Sequence, residues 1–321
     1  MVHRREQVRL TEVATSVIDG RRGFGSGVAA YLAWGLFPLF WPLLKPARPL
    51  EILAHRFVWS LLVVLLILAV QRRWAWIPVI LRQPRRLALL ALAAVLIAVN
   101  WGTYIYGVNS DQVVETSLGY FINPLVTVLL GVVVLRERLR RVQWAALAIG
   151  ALAVLVLAVT YGRMPWIALV LAFSFGTYGL IKKLVAMDAV QSLTIETAVL
   201  FLPGLAYLAF IDGGTFVSGS LGHDALLASA GVVTAIPLLF FGAAARLLPL
   251  STLGLLQYLT PGMQLALGVL LFHEAMPAPR LIGFALVWLA LAVLIGDGIA
   301  HRRRPEPVPV PASVELEAVS G

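Results

Sequence analysis

The stretch "SLGYFINPLVTVLLGVVVLRE" (117–137) breaks an otherwise apolar run with Asn123 and Pro124 side by side. Inside a helix, proline removes a backbone donor and clashes with the preceding turn. Asparagine adds an amide that hydrocarbon cannot satisfy. The same punctuation returns in "TLGLLQYLTPGMQLALGVLLFHE" (252–274). Pro124, Gly131 and Glu137 recur as Pro261, Gly268 and Glu274 at an offset of 137. Just upstream, Ser117-Leu118-Gly119 matches Thr252-Leu253-Gly254, and Gly107 matches Gly242, at an offset of 135. Trp34-Gly35 aligns more weakly with Phe175-Gly176 at 141. Glycine matches are cheap in so biased a sequence, but identical internal spacing of Pro, Gly and Glu points to a duplicated unit.

Hydropathy says what is duplicated. Of the 321 residues, 60% are hydrophobic and 13% charged, with mean hydropathy +0.90, far from a soluble domain's roughly 25% charged. A helix crosses the hydrocarbon with about 20 apolar residues. Ten segments qualify: 25–44, 51–71, 87–109, 113–135, 142–160, 164–186, 192–212, 225–246, 250–272 and 278–299. The segment 72–86 is basic, with Trp74 and Trp76 among arginines, as an interfacial stretch would be. The fold expected is an all-α integral membrane protein of ten transmembrane helices in two five-helix repeats, 25–160 and 164–299. Five is odd, so the second repeat enters from the opposite face. That inverted topology is one many secondary transporters use to build alternating access, with substrate near the midplane beside interrupted helices.

Basic residues orient the chain. Twenty of the 25 Lys and Arg fall on the side of the N-terminus, against Lys45, Arg48, Arg56, Arg163 and Arg280 on the other, so both termini are expected in the cytoplasm. The same placement reads the net charge of +9 as membrane orientation rather than nucleic-acid binding. Residues 1–24 lack the apolar core of a cleaved signal peptide and read as a mobile cytoplasmic segment. The Pro-rich 300–321 reads as a disordered cytoplasmic tail. Cysteine is absent, and the five histidines show no metal-ligand spacing. No phosphate loop and no GxSxG elbow is present, so a cofactor, a metal, ATP use and a membrane-embedded enzyme are not expected.

Pro124 and Pro261 each lie 11 residues into their spans, about 16 Å along the axis and close to the midplane. Each is expected to free a carbonyl one turn earlier, at Tyr120 and Gln257. Polar and aromatic side chains gather at this depth: Asn100, Trp101 and Tyr104; Tyr120 and Asn123; Gln257, Tyr258 and Gln264; Tyr31 and Trp34; Ser174 and Tyr178. An amide-plus-aromatic lining suits a neutral or cationic organic solute, although buried amides also simply tie helices together. Asn100, Trp101, Tyr104, Tyr120, Asn123, Gln257 and Tyr258 are the candidate substrate contacts, with Pro124 and Pro261 as helix breaks. Among charges within spans, Glu115 and Glu196 are candidates for binding a coupling ion or proton, and Arg56 for a charge role. The alternative is that the carboxylates snorkel or pair with arginine. His55 reads as a packed, hydrogen-bonded histidine, while Glu137 and Glu274 read as residues holding loop arginines or a turn.

The strings "EILAHRFVWS" (51–60), "NWGTYIYGVN" (100–109), "SLGYFINPL" (117–125), "AFSFGTYGLIKK" (172–183) and "TAIPLLFFGAAARLLPLSTLGLLQYLTPGMQ" (234–264) resemble the RarD-type permeases. These are EamA members of the drug/metabolite transporter superfamily, and the resemblance spans about 25–299. It implies a multi-pass permease of the bacterial inner membrane with a five-plus-five inverted repeat. The family's polar strings fall on Arg56, Asn100, Trp101, Tyr104, Asn109, Tyr120, Asn123, Glu196, Gln257 and Tyr258. Tyr106 stands where the family commonly has tryptophan, and Gly262 where a bulkier residue is usual. The expectation is a secondary transporter moving a small organic solute, drug or metabolite, with ion or proton coupling compatible. A non-transporting sensor or scaffold is the alternative from another class. Expected partners are the lipid bilayer, the solute and a coupling ion.

Overall fold

The computed structural model describes residues 2–110, 112–161, 164–217 and 220–271, with isolated positions beyond and the backbone alone in places, 2–18 among them. Every regular element among the described residues is helical. In chain order these are α1 (Val2–Gly35), α2 (Phe37–Phe40), α3 (Pro49–Gln71), α4 (Ile77–Leu81), α5 (Pro84–Asn109), α6 (Val113–Val133), α7 (Arg141–Tyr161), α8 (Trp166–Val185), α9 (Ala189–Phe210), α10 (Leu221–Leu247), α11 (Leu250–Leu256) and α12 (Leu259–Leu270). Six segments are long and apolar enough to cross a membrane: Asp19–Leu44, Pro49–Gln71, Pro84–Gly107, Trp166–Val185, Ala189–Phe210 and Leu221–Leu247. Leu118–Val133 is a shorter apolar helix. The expected tenth span (278–299), with Glu274 and the tail, lies outside the described residues apart from isolated positions.

The first span is the one the sequence reads least well. Helix α1 begins at Val2, well before residue 25, because nothing from Arg4 to Arg22 breaks a helix. It ends at Gly35, and the chain continues as α2 and a 3₁₀ turn over Trp41–Leu44. Pro38 and Pro42 stand at the starts of those two pieces, where a missing N–H does no harm. This jog turns Phe37 and Trp41 toward α3.

The outer surface inverts the pattern of a soluble protein. Leu62, Leu66 and Val70 on α3, and Val232, Ile236 and Phe240 on α10, are exposed at four-residue spacing. Such stripes suit lipid, whose contact costs apolar side chains nothing. The opposite face of α3 (Leu53, Phe57, Leu61, Val64, Leu68) packs into the core with Tyr178, Leu193, Leu238 and Phe241. Helix α3 lies against α9 and α10, α8 against α5 and α6, and α1 against α10 and α12.

Helix ends need acceptors for their free N–H groups, and within a bilayer water does not supply them. Asp188 accepts from Val190 N at 3.1 Å to start α9, and Ser220 accepts from His223 N at 3.3 Å to start α10. Two further caps come from distant sequence. Glu115 Oε1 accepts from Ile167 N at 2.6 Å in the first turn of α8. Glu137 accepts from Leu250 N and Ser251 N at 2.7 and 2.8 Å, holding the start of α11. Glu137 thus holds a turn, one of the two roles its position suggests, and the turn belongs to the other half of the chain.

Candidate functional site

The two prolines behave differently. Helix α6 runs unbroken through Pro124. The equivalent span divides at Gln257 and Tyr258, four and three residues before Pro261, where the proline ring would strike the carbonyl of residue i−4. The Gln257 carbonyl is not left free, as the sequence suggests, because Thr260 N donates to it at 3.1 Å. Gln257 N likewise donates to Gly254 O at 3.2 Å, so the chain tightens to i→i+3 pairing across the break. Pro124 O sits 3.0 Å from where a Cβ on Gly254 would stand, so even a methyl group there would press on α6.

Beside this junction lies a cavity enclosing about 90 Å³ of water-accessible space. Asn100, Trp101 and Tyr104 reach it from α5, and Tyr120 and Asn123 from α6. Gln257, Thr260, Pro261 and Gln264 close it from the other half, with Arg56 above Trp101. Six of the seven expected substrate contacts therefore meet at one cavity. Tyr258 does not: it points the other way and packs with Phe121, Val128 and Leu255. Pro124 is buried but does not line the cavity.

Hydrogen bonds tie several of these groups to the scaffold. Asn100 Nδ2 donates to Leu171 O at 2.8 Å and to Ser174 Oγ at 3.0 Å, linking α5 to α8. Thr260 Oγ1 donates to Tyr31 O at 2.8 Å, and Thr127 Oγ1 to Gln257 Oε1 at 3.3 Å. Asn123 Oδ1 and Gln257 Nε2 are buried with no protein partner, one an acceptor and the other a donor. The T-shaped pair Tyr104–Tyr120, with centroids 5.9 Å apart, forms one aromatic wall.

From Trp34 and Phe175 in the cavity wall a continuous aromatic layer runs back through Phe241 to Tyr178, with neighbouring centroids 5.3–5.6 Å apart. On its far side Tyr178 Oη donates to Glu196 Oε2 at 3.0 Å. Glu196 Oε1 accepts from Lys182 Nζ at 2.6 Å and from Ser192 Oγ at 2.7 Å. Glu196 is therefore buried and paired with a lysine, and it does not reach the cavity. Lys182, counted above among cytoplasmic cations, lies in the interior. Glu115, the other coupling candidate, is spent on α8. His55 is packed as expected: Trp59 Nε1 donates to its Nδ1 at 3.1 Å, and Phe216 covers the ring.

Sequence reasoning overlooked Phe37, Trp41, Thr234 and Lys182. Pro38 and Pro42 carried the signal for the first two. For Lys182 the signal was the pairs Tyr178/Lys182 and Ser192/Glu196, each at i,i+4 on consecutive helices. The side chain of Asn109 lies outside those described.

Residues 21–159 match the family model of the EamA-like transporter family. Protein RarD of Streptomyces exfoliatus is 60% identical over 289 residues, which is 89% of this chain and 92% of the relative. An uncharacterized transporter of Pseudomonas aeruginosa is 43% identical over 287 residues, covering 88% and 96%. A protein of known crystal structure superposes with a TM-score of 0.65 at 20% identity, covering 84% of this chain and 96% of its own, which bears on the fold alone. With apolar stripes outward, an aromatic cavity with amide groups within and relatives at this identity over nearly the whole length, the chain belongs to the RarD-type permeases of the EamA-like transporter family.

Proposed function

We propose that this multi-pass membrane protein is a secondary transporter that carries a small organic solute across the bacterial inner membrane by alternating access. The single observation that carries the reading is the cavity between Asn100, Tyr104, Tyr120 and Asn123 on one side and Gln257, Thr260 and Gln264 on the other. A site shared by two halves opens to alternate faces when one half rocks against the other. The reading includes ten helices in a five-plus-five repeat (25–160 and 164–299) with cytoplasmic termini; the packing of the described helices supports the inversion, and the bias of Lys and Arg supports the orientation. Helix α1 lies on α10 as α8 lies on α5, while α3 meets α9 and α6 meets α11 where a two-fold would cross. The names of the relatives speak of transport. Ion or proton coupling belongs to the same proposal.

The test is counterflow in proteoliposomes with a panel of small solutes. Exchange is expected for some member, and Asn123→Ala is expected to abolish it in protein that inserts and melts normally. An inert scaffold would exchange nothing.

A further inference from the structure

We propose that the cavity takes a solute bearing a carboxylate, anchored on Arg56, with an aromatic or branched apolar body. Arg56 is 8% exposed and sits on α3 in the interior of the bundle. Its Nε donates to Thr234 Oγ1 at 2.9 Å across to α10. The guanidinium carbon stands 3.6 Å from the centroid of Trp101 and 4.8 Å from that of Trp41, with Phe57 stacked nearly parallel to Trp101. Among the described residues no carboxylate lies within ion-pair distance, and the terminal Nη atoms have no hydrogen-bond partner.

A guanidinium does not shed its proton at neutral pH, so this position carries a full charge in the interior. Buried charges are ordinarily paired. Lys182, two helices away, follows that rule with Glu196. Glu196 and Glu115 are committed to other partners, and every other residue lining the cavity is uncharged. The charge that completes the site therefore comes with the solute. The two Nη atoms form the planar fork that binds a carboxylate through parallel hydrogen bonds. Stacking and the Thr234 bond hold that fork in place before the solute arrives.

The same geometry disfavours the cationic solute that an aromatic lining alone suggests, because Arg56 already covers the faces of Trp101 and Trp41. Trp34, Tyr104, Tyr120 and Phe175 remain as walls for a flat or branched body. Asn123 Oδ1 and Gln257 Nε2 offer one acceptor and one donor to its polar groups. At about 30 Å³ per water the space of about 90 Å³ holds about three waters, which favours the compact end of such acids.

The inference rests on the transport reading but is tested separately from it. Purified protein in detergent is melted with monocarboxylates from acetate through isovalerate to phenylacetate, and with the primary amide of each. At least one acid is expected to bind about ten- to a hundredfold tighter than its amide, a preference that Arg56→Gln removes and Arg56→Lys keeps in part. Amides that bind as well as their acids, or no acid that binds at all, would overturn the proposal without any variant having to fold. Proteoliposome exchange of the labelled acid then separates the two readings. Arg56-dependent binding without exchange sinks transport and leaves the anion site. Exchange of neutral solutes but not acids sinks the anion site and leaves transport.

Discussion

Lys182 Nζ lies 2.6 Å from Glu196 Oε1 between α8 and α9, with the two side chains 3% and 2% exposed. Removing one partner strands a buried charge, which costs about 3–5 kcal/mol, whereas replacing both with apolar groups is often neutral. Lys182→Met and Glu196→Leu should each lower the melting temperature sharply, and the double variant should recover most of the loss. Thermal unfolding of the four proteins checks this. Additive losses would mean that the pair is not coupled.

Glu115 separates a cap from a coupling group. Its carboxylate accepts from Ile167 N, a task that a glutamine oxygen can also perform. Glu115→Gln is therefore expected to melt close to the parent and to keep its exchange activity. Glu115→Ala should lose about 1–3 kcal/mol for the orphaned buried donor. A Gln variant that melts normally but no longer responds to a pH gradient would return Glu115 to a coupling role.

Gly231 governs how near α10 comes to α3. A Cβ there would run into the backbone of Trp59 and Ser60, and Ser60 Oγ donates to Gly231 O at 3.2 Å on the same interface. Thr234, one turn on, reaches Arg56 only because of that approach. Gly231→Val is expected to force the helices apart and cost about 1–3 kcal/mol. It should also weaken any solute whose binding depends on Arg56. Melting and binding measured on one sample check both effects, and a variant that keeps both would show that the contact is slack.

These cases show what the sequence could and could not disclose. The apolar helices were legible because hydropathy is a local property, and depth alone gathered Asn100, Tyr104, Tyr120, Asn123 and Gln257 in the layer where the cavity lies. Rotation about each helix axis was not legible. Gln257 and Tyr258 are neighbours at the same depth, yet only Gln257 faces the cavity, since a 3₁₀-like break fixes the angle between them. Partners across helices were equally hidden. Whether Glu196 is a free carboxylate or half of an ion pair depends on α8 and α9 meeting at one register. The jog was readable in principle, because Gly35 followed closely by Pro38 and Pro42 weakens a helix in a way that the single prolines inside α6, α9 and α10 do not.

That pair of neighbours gives the sharpest test of the cavity. Gln257 Oε1 is held by Thr127 while its Nε2 lacks a protein partner, so Gln257→Ala should depress exchange at least about tenfold, with a stability loss of no more than about 1–3 kcal/mol for the orphaned Thr127 hydroxyl. Tyr258 is 1% exposed among Phe121, Val128 and Leu255, and its hydroxyl is unpartnered. Deleting an unpaired buried hydroxyl removes a desolvation cost without breaking a bond. Tyr258→Phe should therefore exchange at the parental rate and melt at the same or a slightly higher temperature. Loss of exchange in Tyr258→Phe with Gln257→Ala unaffected would put the solute path on the opposite face of α11 and overturn the site drawn here.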